Sequence, residues 1–268
     1  MNTDVTERLD YAERWLRDGL QVLHPAVSAL QSSVDMSNAL RRLDAIRSSG
    51  SRPTPTHLLV NACALALAKN PDLHQLVAGR TRRRPGRVDI GLSISGDSFV
   101  APVMVIEGAD SKSLSEIAAE TMGRAREVRE HDRKLLTFVR RWGGLVPFGV
   151  VRRAILRVLF NIPGFRLKGT GVFQVSTVPA DWAFSGTFAS AGVLFAGQVR
   201  PRVVVVNGAP AVRPVMILTL CADHGMWDGK ASARFLSAVA SELERDASGE
   251  AAYEERAALP EGSAALSN

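Results

Sequence analysis

Residues 202–229 read RVVVVNGAPAVRPVMILTLCADHGMWDG, and the fold is decided there. Asn207-Gly208 stands between two β-rich arms, a strong hairpin signal. The second arm becomes an apolar run, VMILTLCA, as expected of a strand buried in a sheet. It ends on Asp223-His224, and the short loop HGMWDG leads into an amphipathic helix predicted from Lys230 to Asp246.

Working outward, residues 5–23 carry Leu9, Trp15, Leu16, Leu20 and Leu23 near helical spacing, and Ala26 to Met36 alternates as a strand. Ser37 is placed to cap a helix through Arg47. After the turn-rich SGSRPTPT, Thr56 opens HLLVNACALALAK, apolar on most faces and therefore expected at the centre of the fold. VDIGLSI (88–94) and SFVAPVMVI (98–106) are strand candidates joined by a Ser-Gly-Asp turn, and Ser111 or Ser113 caps a helix to about Glu130. VFQVSTV (172–178) and VLFAGQV (193–199) complete the strands. Strands and helices intermingle without a regular βαβ rhythm, which favours an α+β or mixed sandwich over a doubly wound sheet.

The chain has 268 residues, 46% hydrophobic and 22% charged, which excludes a disordered or collagen-like protein and a small disulfide scaffold. Cys63 and Cys221 lie in apolar runs and read as buried free thiols. The five histidines are scattered and there is no Cys-x-x-Cys, so no metal site is expected. The N-terminus lacks the apolar core of a signal peptide, and no apolar run reaches the ~18 residues of a membrane span, so a cytoplasmic protein is expected. The net charge of +6 suggests a polyanionic partner until it is located. Residues 80–87 (RTRRRPGR) carry five Arg and no acid, and residues 133–168 carry nine Lys or Arg and no acid. Together they amount to +14, leaving −8 for the remainder: a mildly acidic body with two basic inserts. No recognition motif accompanies the charge, and nucleic acid is not expected as a partner.

The chemistry gathers at Asp223-His224-Gly225-Met226-Trp227-Asp228-Gly229. A loop at a strand mouth can fix an imidazole while leaving it open to substrate, and a histidine near pKa 6.5 suits proton removal from an attacking alcohol or thiol. Asp228 could hold the loop, and Gly229 could permit a turn that a side chain would block. The same residues also read as a loop histidine beside a helix-capping aspartate.

The segments PTPTHLLVNACALALAKNPDLH, VDIGLSISGDSFVAPVMVIEGADSKSLSEIA and VVVVNGAPAVRPVMILTLCADHGMWDGKASARFLSAV resemble the catalytic domain of dihydrolipoamide acyltransferases. Those are the core subunits of 2-oxo acid dehydrogenase complexes, similar in turn to chloramphenicol acetyltransferase. The order and spacing match through most of residues 26–246 apart from the basic insert. The resemblance implies an α+β, two-layer sandwich of a mixed sheet flanked by helices. One catalytic domain is expected over residues 1–246, with a flexible tail at 247–268. The resemblance further implies His224 as general base and Ser176, in FQVST, as the hydroxyl that stabilises the oxyanion, with Thr177 as fallback. Asp228 would organise the loop through an arginine, for which Arg14 and Arg17 are candidates. A homotrimer is implied, His224 of one chain facing Ser176 of the next.

Two departures shape the expected reaction. Gly225 follows the histidine where the lipoamide enzymes carry Arg, and the basic insert replaces a short link. No lipoyl segment stands ahead of the domain, so a stand-alone enzyme is expected. It would move an acyl group from acyl-CoA to a small-molecule hydroxyl, less readily a thiol or amine, in a natural-product setting. The alternatives are a lipoyl acceptor supplied in trans, a non-catalytic scaffold or a membrane-associated member. Residues that hold CoA are not identified, though RTRRRPGR could approach its phosphates. The insert is expected as an amphipathic lid, with Phe148, Val151, Ile155, Val158 and Leu159 over the site and Arg152, Arg153 and Arg157 outward. Its rival is an interfacial segment, 135–168, touching anionic lipid.

Overall fold

The computed structural model describes residues 10–22, 25–48, 50–78, 80–98, 100–187 and 189–246. The expected tail at 247–268 and the start of the first helix lie outside them. Asn207 (φ 52°) and Gly208 (φ 81°) both take positive φ, forming the turn that joins β8 (Arg200–Val206) to β9 (Ala209–Asp223). β9 is 15 residues long and organises the sheet. One side pairs antiparallel with β1 (Val27–Asp35), from Val27↔Asp223 to Asp35↔Val215. The other pairs with β7 (Gly192–Ala196) and then with β8.

Beyond β7 follow β6 (Phe173–Thr177), β4 (Ile90–Ser93) and β5 (Val103–Ile106). β6 is parallel to both neighbours, so the sheet is mixed, in the order β1-β9-β7-β6-β4-β5. β5 and β6 run antiparallel on either side of β4, Ile106 and Phe173 both aligning with Ile90, and a long helical excursion joins them. A separate hairpin, β2 (Leu76–Ala78) and β3 (Thr81–Arg83), presents the first basic insert.

Helix α3 (Pro55–Lys69) is the buried centre, with Leu58, Leu59, Val60, Cys63 and Leu67 inside the core. It begins one residue earlier than expected, because Thr54 is the N-cap and Pro55 suits the first helical position. Around it stand α2 (Ser37–Ser48), α7 (Gly229–Glu244) and the first half of α4 (Leu114–Trp142). Phe173, Val175, Leu194, Leu218 and Leu220 bring the sheet's apolar face against them. This is the expected two-layer α+β sandwich.

Ser113 caps α4 in a reciprocal box with Glu116. The helix does not stop near Glu130 but runs 29 residues, about 43 Å, absorbing the start of the basic insert. Its far end packs with α1 (Tyr11–Val22), on which α5 (Gly149–Phe160) also packs, and α6 (Pro163–Thr170) returns the chain to the sheet. No helix among the described residues is long and apolar enough to cross a membrane.

Candidate active site

Both strands beside β9 clamp the chain where it leaves the sheet. Asp223 N donates to Ala191 O (2.9 Å) and His224 N donates to Ala26 O (2.7 Å). Asp223 then closes a tight turn: its carbonyl accepts from Met226 N (2.9 Å) and Trp227 N (3.0 Å), and Oδ1 accepts from Gly225 N (2.9 Å). Gly225 has no positive φ, so the turn itself does not demand glycine there.

Trp227 is the anchor, a role the sequence reading did not assign. Its buried indole lies 5.6 Å from the Phe173 ring in a stacked arrangement and 5.0 Å from Phe235, and Nε1 donates to Leu73 O (3.1 Å). The one available signal was a tryptophan in a polar loop between a buried strand and a helix. Fixed at both ends, the loop leaves His224 exposed on a rigid mount.

Asp228 is the N-cap of α7: Oδ1 accepts from Ala231 N (2.7 Å) and its carbonyl from Ser232 N (2.9 Å). Among the described residues no arginine pairs with it. Arg14 and Arg17 lie on α1, which packs on α4 and α5, and Arg14 sits over the Tyr11 ring. Gly229 has ordinary φ and open space where a Cβ would stand, so the expectation that a side chain would block the turn is not met.

Ser176 lies near the C-terminal end of β6. Phe173 and Val175 enter the core, so alternation sends Gln174 and Ser176 to the opposite face. Ser176 is half-buried, and its hydroxyl makes no hydrogen bond among the described residues. Thr177 lies on the helix side, its hydroxyl 3.5 Å from that of Thr56, so the two candidate hydroxyls face different ways.

The register keeps His224 and Ser176 of one chain apart. Ser176 aligns with Phe195, which aligns with Thr219, five residues before His224 along β9. That is about 17 Å along the strands and about 10 Å across two strand spacings. No pose of one small substrate carbonyl reaches both within a chain.

Of the expected lid, Arg157 is exposed as expected, but Arg152 and Arg153 turn inward. Arg152 is buried: Nε lies 2.7 Å from Asp18 Oδ2, and Nη1 donates to Val146 O (3.0 Å) and Pro147 O (2.8 Å). Arg153 reaches the other Asp18 oxygen at 2.9 Å. With these polar groups locked onto α1, Phe148, Val151, Ile155 and Val158 stand exposed.

The longest strand of a mixed sheet thus delivers an exposed histidine into a clamped loop before a capped helix. The chain belongs to the family of 2-oxoacid dehydrogenases acyltransferase (catalytic domain), matched over residues 21–136 and 189–248. The unmatched stretch between holds α5, α6 and the Ser176 strand. The lipoamide acyltransferase component of the branched-chain alpha-keto acid dehydrogenase complex of Bacillus subtilis is 27% identical over 226 residues, covering 79% of this chain. The chain spans 45% of the length of that relative.

Among solved structures, a probable dihydrolipoamide acetyltransferase from Listeria monocytogenes superposes with a TM-score of 0.69 at 20% identity, over 90% of this chain and 94% of that one. The dihydrolipoamide acetyltransferase of Azotobacter vinelandii, studied for the roles of a serine, a histidine and an asparagine in its catalytic mechanism, gives 0.66 at 20% identity over 90% and 92%. These relatives are named for lipoamide and its dihydro form, which overturns the expected small-molecule hydroxyl acceptor of a natural-product pathway. The chemistry agrees, since a thiol surrenders its proton to an imidazole far more readily than an alcohol does.

Proposed function

We propose that this chain catalyses acyl transfer between coenzyme A and a lipoyl thiol, in a trimer whose sites form between copies. The observation that carries the reading is the separation just described, within the fold of a family of acyltransferase catalytic domains. His224 and Ser176 stand at opposite ends of one sheet, so a site using both takes them from two chains. The β8–β9 hairpin supplies a surface for that contact, with Val203, Val205 and Val212 exposed on it.

In the reaction the imidazole of His224 accepts the proton of the attacking thiol as its sulfur bonds to the thioester carbonyl. Charge grows on the carbonyl oxygen, where the Ser176 hydroxyl of the neighbouring copy donates a hydrogen bond, an effect of about 10²–10³ in rate. The intermediate collapses by expelling the second sulfur, which takes the proton back from His224. The acyl group has then changed sulfur, with no net oxidation. Asp228 caps α7, the helix that follows the loop. His224 and Asp228 share the spacing of the histidine and asparagine studied in the Azotobacter enzyme, which supports the assignment. The buried free thiols Cys63 and Cys221 accord with a reducing, cytoplasmic setting.

The test is complementation. His224→Ala and Ser176→Ala chains are assayed with acetyl-, succinyl- and branched-chain acyl-CoA and dihydrolipoamide, acyl-dihydrolipoamide being followed by chromatography. Each variant alone is expected to lose at least a hundredfold in turnover. Refolding the two together at equal amounts should restore roughly a quarter of the wild-type sites, by random assortment around a closed ring. Near-wild-type turnover in His224→Ala, or no recovery from a correctly assembled mixture, overturns the reading.

A further inference from the structure

The helical insert carries a surface that the acyl-transfer chemistry does not use. Along α5 the inward side holds Arg152, Arg153, Leu156 and Leu159, while Val150, Val151, Ala154, Ile155 and Val158 form the outward stripe with Arg157 at its border. Val150 is 72% exposed and Val158 65%. This inverts the usual amphipathic arrangement, in which the apolar stripe faces the core. The buried Asp18–Arg152 pair fixes the inversion.

The same pattern occurs at the end of α4. Leu135, Phe138 and Trp142 form one exposed apolar stripe at helical spacing, with Lys134 and Arg141 along its flank. The Arg141 guanidinium lies 5.3 Å over the Trp142 ring.

The segment that bears these stripes carries charge of one sign. Within 133–168 nothing is acidic, and the partners that this segment's cations do find are Asp10, Asp18 and Asp97, all outside it. The other basic insert joins from a distance in sequence. Arg166 of α6 donates to Val77 O of β2 (2.8 Å), and Arg83 with Lys168 lines one cleft of about 520 Å³. Arg87 in that cleft is already paired with Asp89 and Glu107.

We propose that the exposed stripes of α5 and of the end of α4 dock on an anionic lipid surface, their bulky apolar side chains entering the headgroup boundary and the lysines and arginines beside them meeting lipid phosphates. Charge complementarity selects the occupant. A second copy seated face to face on these stripes would bring Lys134, Arg141 and Arg157 against their own equivalents, and a head-to-tail contact with a different face is the outcome that the oligomeric mass reads. A bilayer offers hydrocarbon and negative charge at the depth this pattern needs, and no helix need cross it. Each basic residue near such a surface adds roughly fivefold to binding.

The experiment is flotation of the full chain with vesicles of phosphatidylcholine alone or mixed with phosphatidylglycerol, at low and high salt. Wild type should float with the mixed vesicles, at least tenfold less with the neutral ones, and less at high salt. The double variant Val150→Glu/Val158→Glu, at two exposed positions, should lose at least tenfold in vesicle binding. Its oligomeric mass by sedimentation and its acyl transfer in solution should match wild type, which separates this proposal from the catalytic one. Absence of flotation, equal flotation of wild type and variant, or an altered oligomeric mass in the variant overturns it. The last result would mark the face as a contact between copies.

Discussion

Asp228→Asn and Asp228→Ala separate two roles that one carboxylate can play. In the structure Asp228 Oδ1 accepts the Ala231 amide at 2.7 Å as the N-cap of α7, and no arginine among the described residues pairs with it. Losing such a cap to alanine costs about 1 kcal/mol, and losing a negative charge from a helix N-terminus costs about 0.3–1 kcal/mol more. Alanine should therefore lower stability by about 1–2 kcal/mol, while asparagine, an equally good cap, should lose only the smaller charge contribution. The assay is urea denaturation with the slope checked for constancy, beside kcat and KM for acyl transfer. Because Trp227 and the Ala26 carbonyl hold the His224 loop independently of the cap, kcat should fall less than tenfold in either variant. Two results would refute this reasoning. One is asparagine destabilising as much as alanine. The other is asparagine abolishing turnover in a fully folded protein, which would assign the charge itself a task across the subunit boundary.

Removing the carboxylate with Asp18→Ala leaves Arg152 buried without its partner and should cost about 3–5 kcal/mol in denaturation experiments. Replacing Asp18 and Arg152 together by Leu and Met should recover most of that loss. Burial holds His57 and His74 below the ordinary histidine value of 6.5. The unfolded chain then binds more protons than the folded one as pH falls below 6.5, so stability is fully present above that value and should decline from there down towards the folded pKa values. His57→Gln keeps an acceptor for Thr54 N, as His57 Nδ1 does at 3.0 Å, and should flatten the decline. An unchanged pH profile in that variant would remove His57 from the account.

Most of the sheet could be read from local signals. Asn207-Gly208 takes the positive φ that its turn requires, and the apolar run behind it fills the longest strand of the sheet. Ser113, one of the two cap candidates with Ser111, starts α4, whereas its end did not show. Leu135, Phe138 and Trp142 keep helical spacing past Glu130, but they interleave with arginines whose partners Asp10 and Asp97 lie far off in sequence. The orientation of α5 was hidden for the same reason. Periodicity shows that an apolar and a basic side exist, and the side that turns inward was decided by one distant carboxylate, Asp18. The positions of His224 and Ser176 along their strands were legible, yet their separation was not, because it depends on β7 lying between β6 and β9. Trp227 went unassigned since its partners, Leu73 O, Phe173 and Phe235, come from three separate parts of the chain.

The excursion from β5 to β6 has a consequence for how such a protein can change. The end of β5 and the start of β6 lie at the same end of the sheet, about two strand spacings apart, so the sheet does not dictate the length between them, and each doubling of an excursion adds only about 0.6 kcal/mol of closure entropy. The registers Ile90↔Phe173 and Phe173↔Gly192 are set within the sheet, whatever chain lies outside it. Helix α5 thus behaves as a graft on a finished frame, while α6 stays tied to it through Arg166: the length and surface of α5 can vary while the strand bearing Ser176 keeps its place. A chain in which residues 143–162 are exchanged for a short flexible link should still close the same sheet. New attachments can therefore accumulate on this fold without shifting the strand that bears Ser176.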